Sequence, residues 1–450
     1  MIAPRNILLW LVGGLGVPLT VTAGLQPQLW PPAALVLLAL TAAAMVDAAL
    51  SIGRLRQARV PAQDVLRLTK DVEGELTVDL ALPARPRGLR AALALPEGLE
   101  CDVDDVPAVP LKTAEDAPPA CRFRWEVLPR RRGQYILEAI YLQCASRLGL
   151  WHIRRRVSMR REVRVYPNLL GERKTVANLF LPHGRLGGRA VRQVGQGREF
   201  EKLRDYITGD SYEDVHWKAT AKRGTPVTKV YQIERTQEVY VLIDASRLSA
   251  RKVPVPDDPR RSEPVLERYV TASLVLGRAT ERQGDLLGMM TFSDRVDTFL
   301  RAAAGREHYR TCRNALYTVH PRPVTPDFSE VCSFVRMHLR RRALLVFLTN
   351  LDDPLLAESF LENVKLIGRQ HLVVAGMITR PQERPLFTGE MPGTVDDVYR
   401  RLGGHLRWAQ LAELQRSLRR RGVTLLTMEN EKLCPRLVSE YVAVKQRQLI

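Results

Sequence analysis

The chain of 450 residues lacks the short motifs that mark most hydrolytic and nucleotide-driven chemistry. It has no GxxxxGK phosphate loop ending in Ser or Thr, no HExxH zinc site and no GxSxG elbow, so ATP hydrolysis, metalloproteolysis and α/β-hydrolase chemistry have no local support. Gly195-Gln196-Gly197 lacks the third glycine of a dinucleotide fingerprint. Aromatic residues make up only 6% of the chain and are not interleaved with its basic clusters, which argues against nucleic-acid binding despite a net charge of +19. The arginine clusters suit a solvated face or an anionic membrane surface instead. The 6 cysteines are widely spaced with no CxxC or zinc pattern, so reduced core thiols of a cytoplasmic part are expected.

Long apolar runs, by contrast, are present. Ile7 to Leu25 is almost wholly apolar, and a second run extends from about Leu29 to Leu50 with only Asp47 near its end. Each can span a bilayer, at ~20 residues per helix. Gln26-Pro27-Gln28 supplies a polar turn and Trp30 an interfacial aromatic, so residues 1–52 read as a transmembrane helical hairpin. The rival reading is a signal peptide with Arg5 in its n-region and a site near Ala23, but cleavage there would still leave a spanning segment. Arg5 precedes the hairpin, Arg54, Arg56 and Arg59 follow it, and the turn has neither Lys nor Arg. Both ends are therefore expected in the cytoplasm, and membrane lipid is an expected partner.

From residue 60 to 167, proline-rich breaks at Pro83–Pro86 and Pro107–Pro119 separate alternating runs such as Glu75–Leu80 and Cys121–Val127, which suits a small β-sandwich. Arg130 to Arg132 read as a solvated hairpin tip. Residues 168–237 form a connector, glycine-rich up to Gln196, and then a dense segment from Gly197 to Glu234. Within that segment Ser211 and Asp214 resemble a capping box, and Tyr212, Val215 and Ala219 share a helical face ended by Gly224 and Pro226. Val227, Lys229, Tyr231 and Ile233 alternate as a strand. Glu199, Arg204, Asp205, Asp210, Lys218 and Arg223 suggest an ion network clamping helix to strand. His216 with Asp205, Asp210 and Asp214 is the one dense grouping suited to acid and base work.

Arg198-Glu199-Phe200, Leu203-Arg204-Asp205-Tyr206, Gly209-Asp210, His216-Trp217-Lys218 and Lys222-Arg223 together resemble the signature of a bacterial membrane-anchored family, that of the domain of unknown function numbered fifty-eight. Arg131-Arg132-Gly133-Gln134-Tyr135, Ser146–Trp151 and Val163–Pro167 extend the resemblance toward the membrane end, with Ala145-Ser146 where the family often has Asp-Pro. The resemblance implies a von Willebrand factor A-like domain and a MoxR-type AAA+ ATPase as partner. It also implies a place in the bacterial inner membrane as a multi-pass protein with its soluble domains in the cytoplasm.

After residue 238 the apolar runs Val239–Ile243, Leu286–Phe292, Ala343–Leu348, Leu372–Ile378 and Val423–Met428 alternate with helical segments such as Leu266–Gln283. This pattern predicts a doubly wound α/β (Rossmann-like) domain over 238–450, with ligands beyond the strands' carboxyl ends at Asp244-Ala245-Ser246 and Thr349–Asp352. The arrangement resembles a von Willebrand factor A-like domain, which implies Mg²⁺ held by Asp244, Ser246 and Asp352, or Asp353 in place of the last. The motif is degraded: Leu248 stands where a second serine belongs, Ser249 is one place out of register, and Asn350 replaces a frequent aspartate. The expected function is that of a non-enzymatic adaptor acting with the ATPase on client proteins in assembly, maturation or envelope stress. A cell-envelope hydrolase centred on the signature acids and His216 is the alternative.

Overall fold

The computed structural model describes the chain except residues 27, 29, 62–63, 83–85, 111–119, 172–193, 209, 233–236, 256–257, 387, 389–393 and 448–450. Most of the expected connector, Gly209 and much of the two proline breaks thus lie outside the described residues. The chain divides into two compact units, Met1–Asn168 and Leu169–Ile450.

In the first unit, helices Asn6–Leu25 and Trp30–Ser51 are each long and apolar enough to cross a membrane. Trp10, Leu25, Leu35, Leu38 and Met45 project outward from them, as side chains meant for lipid do. The first helix widens to π geometry over Val12–Gly16. Pro18 supplies no N–H to the helical ladder there.

Both ends of this helical pair are fixed to one edge of a β-sheet. Strand Ile2–Pro4 pairs antiparallel with Trp151–Tyr166, Ile2 opposite Ile153. At the other end, Asp47 is buried and accepts hydrogen bonds from Ser146 Oγ at 2.6 Å and Leu148 N at 2.9 Å. Ser51 Oγ accepts from Arg147 N at 3.1 Å, and Trp151 Nε1 donates to the Ala44 carbonyl at 2.8 Å. The single acid of the second apolar run is therefore a latch onto the turn Ser146–Trp151, which explains why that turn carries a Ser at its start and a Trp at its end.

Two sheets share the remaining core of this unit. One contains Trp151–Tyr166, Gly133–Ala145, Arg90–Leu93 and Asp105–Pro107; the other pairs Gly74–Ala81 with Ala120–Pro129. Alternation decides which side chains meet: Leu76, Val78 and Leu80 lie opposite Trp125, Phe123 and Cys121, and all six are buried against Leu137, Ile140 and Val163 of the other sheet. The segment Arg130–Arg132 is not the hairpin tip that was expected. It carries the chain from one sheet to the other, Arg132 is 1% exposed, and Arg130 pairs with Glu100 at 2.6 Å.

The second unit is built on a six-stranded sheet whose order is Val296–Ala303, Leu286–Phe292, Glu238–Asp244, Ala343–Leu348, Leu372–Ile378 and Val423–Met428. The five strands from Leu286–Phe292 onward in that order are parallel. The edge strand Val296–Ala303, absent from the sequence reading, is antiparallel. Val239, Val241 and Ile243 bury one face against helices Val265–Gln283, Arg306–Leu316 and Leu433–Gln446. Tyr240 and Leu242 bury the other against Phe328–His338, Pro354–Val364 and part of Val395–Arg420. Both faces being covered is why these strands read as continuous apolar runs.

Candidate functional site at the strand ends

Parallel strands leave their carboxyl ends facing one rim, and two loops there bring the expected residues near each other. Asp244 is wholly buried; its Oδ1 accepts from Ser246 N at 2.8 Å and its Oδ2 from Thr349 Oγ1 at 2.6 Å. Burial pushes its carboxyl above the usual carboxylate range, against the pull of these bonds. Ser246 Oγ caps the following turn by accepting from Leu248 N at 3.3 Å, and Ser249 Oγ turns inward to the Ser246 carbonyl at 2.8 Å. The Thr349 carbonyl in turn accepts from Tyr269 OH at 3.0 Å. Asp244, Ser246, Thr349 and Tyr269 thus form a closed internal network.

Asp352 stands outside that network. Asn350 Oδ1 accepts from Asp352 N at 2.9 Å and shapes its loop, while the Asp352 carboxylate faces Arg251 at 3.9 Å and Arg380 at 3.8 Å. Glu383 joins the group from the loop after Leu372–Ile378; its Oε2 accepts from Arg380 N at 3.0 Å, and burial raises its pKa. That loop lies against helix Val395–Arg420 at Gly404, where a Cβ would sit 2.0 Å from the Gln382 carbonyl oxygen. Only glycine permits this approach. Sequence reasoning missed Thr349 as the partner of Asp244, and it missed Arg251, Arg380 and Glu383 altogether, since no local spacing links them.

These residues do not fit the Mg²⁺ that the resemblance implies. Both oxygens of Asp244 are engaged inside the fold and its charged form is disfavoured, Asp352 faces two arginines, and Leu248 offers no oxygen. Hard cations need several free oxygen ligands. Among the described residues no group of three or more His, Cys, Asp or Glu is gathered for a metal.

The signature segment forms its own small assembly. Strands Val194–Asp205 and Val227–Gln232 pair antiparallel, placing Leu203 opposite Lys229 and Arg204 opposite Thr228. Glu199 and Phe200 lie on the first strand opposite Gln232 and Tyr231. Arg204 bonds Asp210 at 2.6 Å, and Asp210 also accepts from Ile207 N at 3.1 Å; that backbone bond and the arginine hold its carboxyl below the usual range. Tyr206 N donates to the Pro226 carbonyl at 2.9 Å.

The expected helix from Ser211 is broken. Tyr212–Asp214 is a 3₁₀ turn, Val215 is extended and bridges Thr228, and the α-helix runs only from Trp217 to Arg223, ending at Gly224 with φ 71°. His216 caps it, Nδ1 accepting from Ala219 N at 3.0 Å, and Thr220 Oγ1 accepts from Val227 N at 3.0 Å. The Thr220 bond, with His216 N donating to the Val227 carbonyl at 2.8 Å, holds helix to strand. Of the ionic clamp that was expected, Arg204–Asp210 is formed, while Asp205, Lys218 and Arg223 are exposed. Trp217 is 65%, Tyr212 75% and Ile207 61% exposed.

Residues 202–396 match the family described as a protein of unknown function, DUF58. This stretch is a DUF58 domain. It takes in most of the signature assembly and the α/β sheet through Leu372–Ile378, with the Asp244 network and Glu383. No curated protein matches the chain. Among solved structures, a conserved hypothetical protein BatB from Bacteroides thetaiotaomicron is 14% identical with a TM-score of 0.29, covering 47% of this chain and 99% of that one. An aerotolerance-related membrane protein from Bacteroides fragilis NCTC 9343 is 14% identical with a TM-score of 0.29, covering 45% and 97%. The SpRpn10 VWA domain is 11% identical with a TM-score of 0.28, covering 46% and 94%.

Proposed function

We propose that this DUF58 protein is a non-enzymatic, membrane-anchored adaptor whose second unit, read as a von Willebrand factor A-like platform, engages a MoxR-type AAA+ ATPase. In this reading the two apolar helices cross the inner membrane as a hairpin, and the first unit is a β-sandwich held at the cytoplasmic surface. The attachment of both helix ends to one sheet edge supports the hairpin, because it requires those ends to share a side of the bilayer. The charge asymmetry around the turn supports the cytoplasmic side.

The observation that carries the adaptor reading is the contrast at the strand ends: Asp244 is locked into the fold by hydrogen bonds, while Asp352 in the neighbouring loop holds only long ion pairs to Arg251 and Arg380 that a partner could replace. The exposed Ile207, Tyr212 and Trp217 on the signature offer a second contact, since large exposed side chains of this kind are typical anchors. His216 spends its Nδ1 on a helix cap, which favours a structural use of that nitrogen over a base role.

Capture of the ATPase by the full chain in detergent tests the proposal. Trp217→Ala together with Asp352→Asn should lower capture by about tenfold, equivalent to about 1.4 kcal/mol. Undiminished capture by the folded variant, or no capture by the unaltered chain, would count against it.

A further inference from the structure

Between helices Pro354–Val364 and Val395–Arg420 lies a cavity of about 370 Å³. Leu361, Leu411 and Leu414 give it an apolar wall. Its charged lining is Asp352, Glu358, Glu383 and Glu413 against Arg407 alone, an acidic enclave in a chain of net charge +19.

Two of these acids, the buried Glu383 and the half-buried Asp352, have long ion pairs in place of a full set of hydrogen bonds. The Glu383 side chain is 2% exposed; its Oε1 has no hydrogen-bond partner, and the nearest cation, Arg380 Nε, is 3.9 Å away. Both carboxylate oxygens of Asp352 are buried and also without a hydrogen bond. The flanking arginines do not remedy this, because Arg251 directs an N–H to the Ile378 carbonyl and the Nε atoms of both Arg251 and Arg380 are themselves unbonded. Buried carboxylate oxygens are ordinarily satisfied, so three unsatisfied ones at one cavity call for donors from outside.

We propose that this cavity receives the guanidinium group of an arginine from a partner protein, its stem against the leucines and its N–H groups on Asp352 and Glu383. Guanidinium fits better than ammonium, since it carries five donors in a planar fork and is less strongly hydrated. The volume suits one long side chain and its neighbours rather than a large cofactor. The proposal deepens the adaptor reading and rests on it only for the source of the arginine.

The test is calorimetric titration of the full chain in detergent with a blocked tripeptide bearing a central arginine, with the same tripeptide bearing alanine, and with agmatine. The arginine tripeptide should bind and the alanine one should not. Glu383→Gln should weaken binding at least about tenfold, and Gln410→Trp, which narrows the cavity from its exposed rim, should do the same if the first variant fails to fold. Glu362→Gln, outside the cavity, should change nothing. Agmatine binding as tightly as the tripeptide would support the guanidinium site and assign it to a free small molecule. No saturation by any probe up to about 10 mM, or full affinity in the folded Glu383→Gln and Gln410→Trp chains, would overturn the proposal. No ATPase capture by the unaltered chain, with arginine binding intact, would instead defeat the adaptor reading alone.

Discussion

Two buried carboxyl groups, one in each unit, are treated in opposite ways. Asp47 is 1% exposed and receives Ser146 Oγ and Leu148 N, so its burial is compensated where it ties a membrane helix to its sheet. Glu383 is equally enclosed at its side chain but has one oxygen unbonded and lines an open cavity. A satisfied buried acid holds a structure together, whereas an unsatisfied one weakens its own fold and waits for a donor. The chain therefore separates its anchoring acid from its recognition acid, although both appear in the sequence as isolated carboxylates.

The comparison breaks most visibly at Asp47. Asp47→Ala leaves Ser146 Oγ and Leu148 N without an acceptor and should cost about 3 kcal/mol, read as faster hydrogen exchange across 146–151 in the full chain. Unchanged protection there would remove the latch. Gly404→Ala comes next, because its Cβ would strike the Gln382 carbonyl oxygen; about 2 kcal/mol of overpacking should lower the melting midpoint of the second unit and free the loop carrying Glu383 to proteolysis. Thr349→Val strips Asp244 Oδ2 of its donor and should cost about 1–3 kcal/mol, with exchange rising at the ends of strands Glu238–Asp244 and Ala343–Leu348.

The smallest effect is the response to pH, and it should differ in sign between particular buried and paired acids of the two units. Burial raises the pKa of Asp244 and Glu383 above their unfolded values, so these two groups bind more protons in the folded state; their contribution to the stability of the second unit should fall as pH rises through the usual carboxylate range to the raised values. Asp352, Arg251 and Arg380 face Glu383 across this cluster and modulate the shift. In the first unit the hydrogen bond from Arg122 lowers the pKa of Asp79, so that contribution is present above the unfolded value of 3.8 and lost as pH falls through the lowered one. Hydrogen exchange measured around Asp244 and Glu383 and around Asp79 across that range should show the opposed trends, and parallel trends would contradict the assignment.

Much of the frame was legible because it rests on periodicity. Val239–Ile243 and its four sister runs are buried on both faces and announce themselves as strands, and Cys121, Phe123, Trp125 and Val127 announce one buried face by alternation. The turn at Gly224 was equally plain. The site was less legible because its partners are far apart in sequence: Thr349 reaches Asp244 across 105 residues, and Arg251, Asp352, Arg380 and Glu383 share no motif. Arg132 misled for a related reason, since a run of arginines reads as surface until the chain crossing between two sheets buries one of them.

Glu383→Gln in the full chain, melted and titrated side by side, tests the central distinction most directly. Removing a buried charge with one oxygen unbonded should raise the melting midpoint of the second unit, by on the order of 1 kcal/mol, while binding of the arginine tripeptide falls. A lower midpoint with binding retained would mean that Glu383, like Asp47, is a structural acid and that the cavity is not a recognition site.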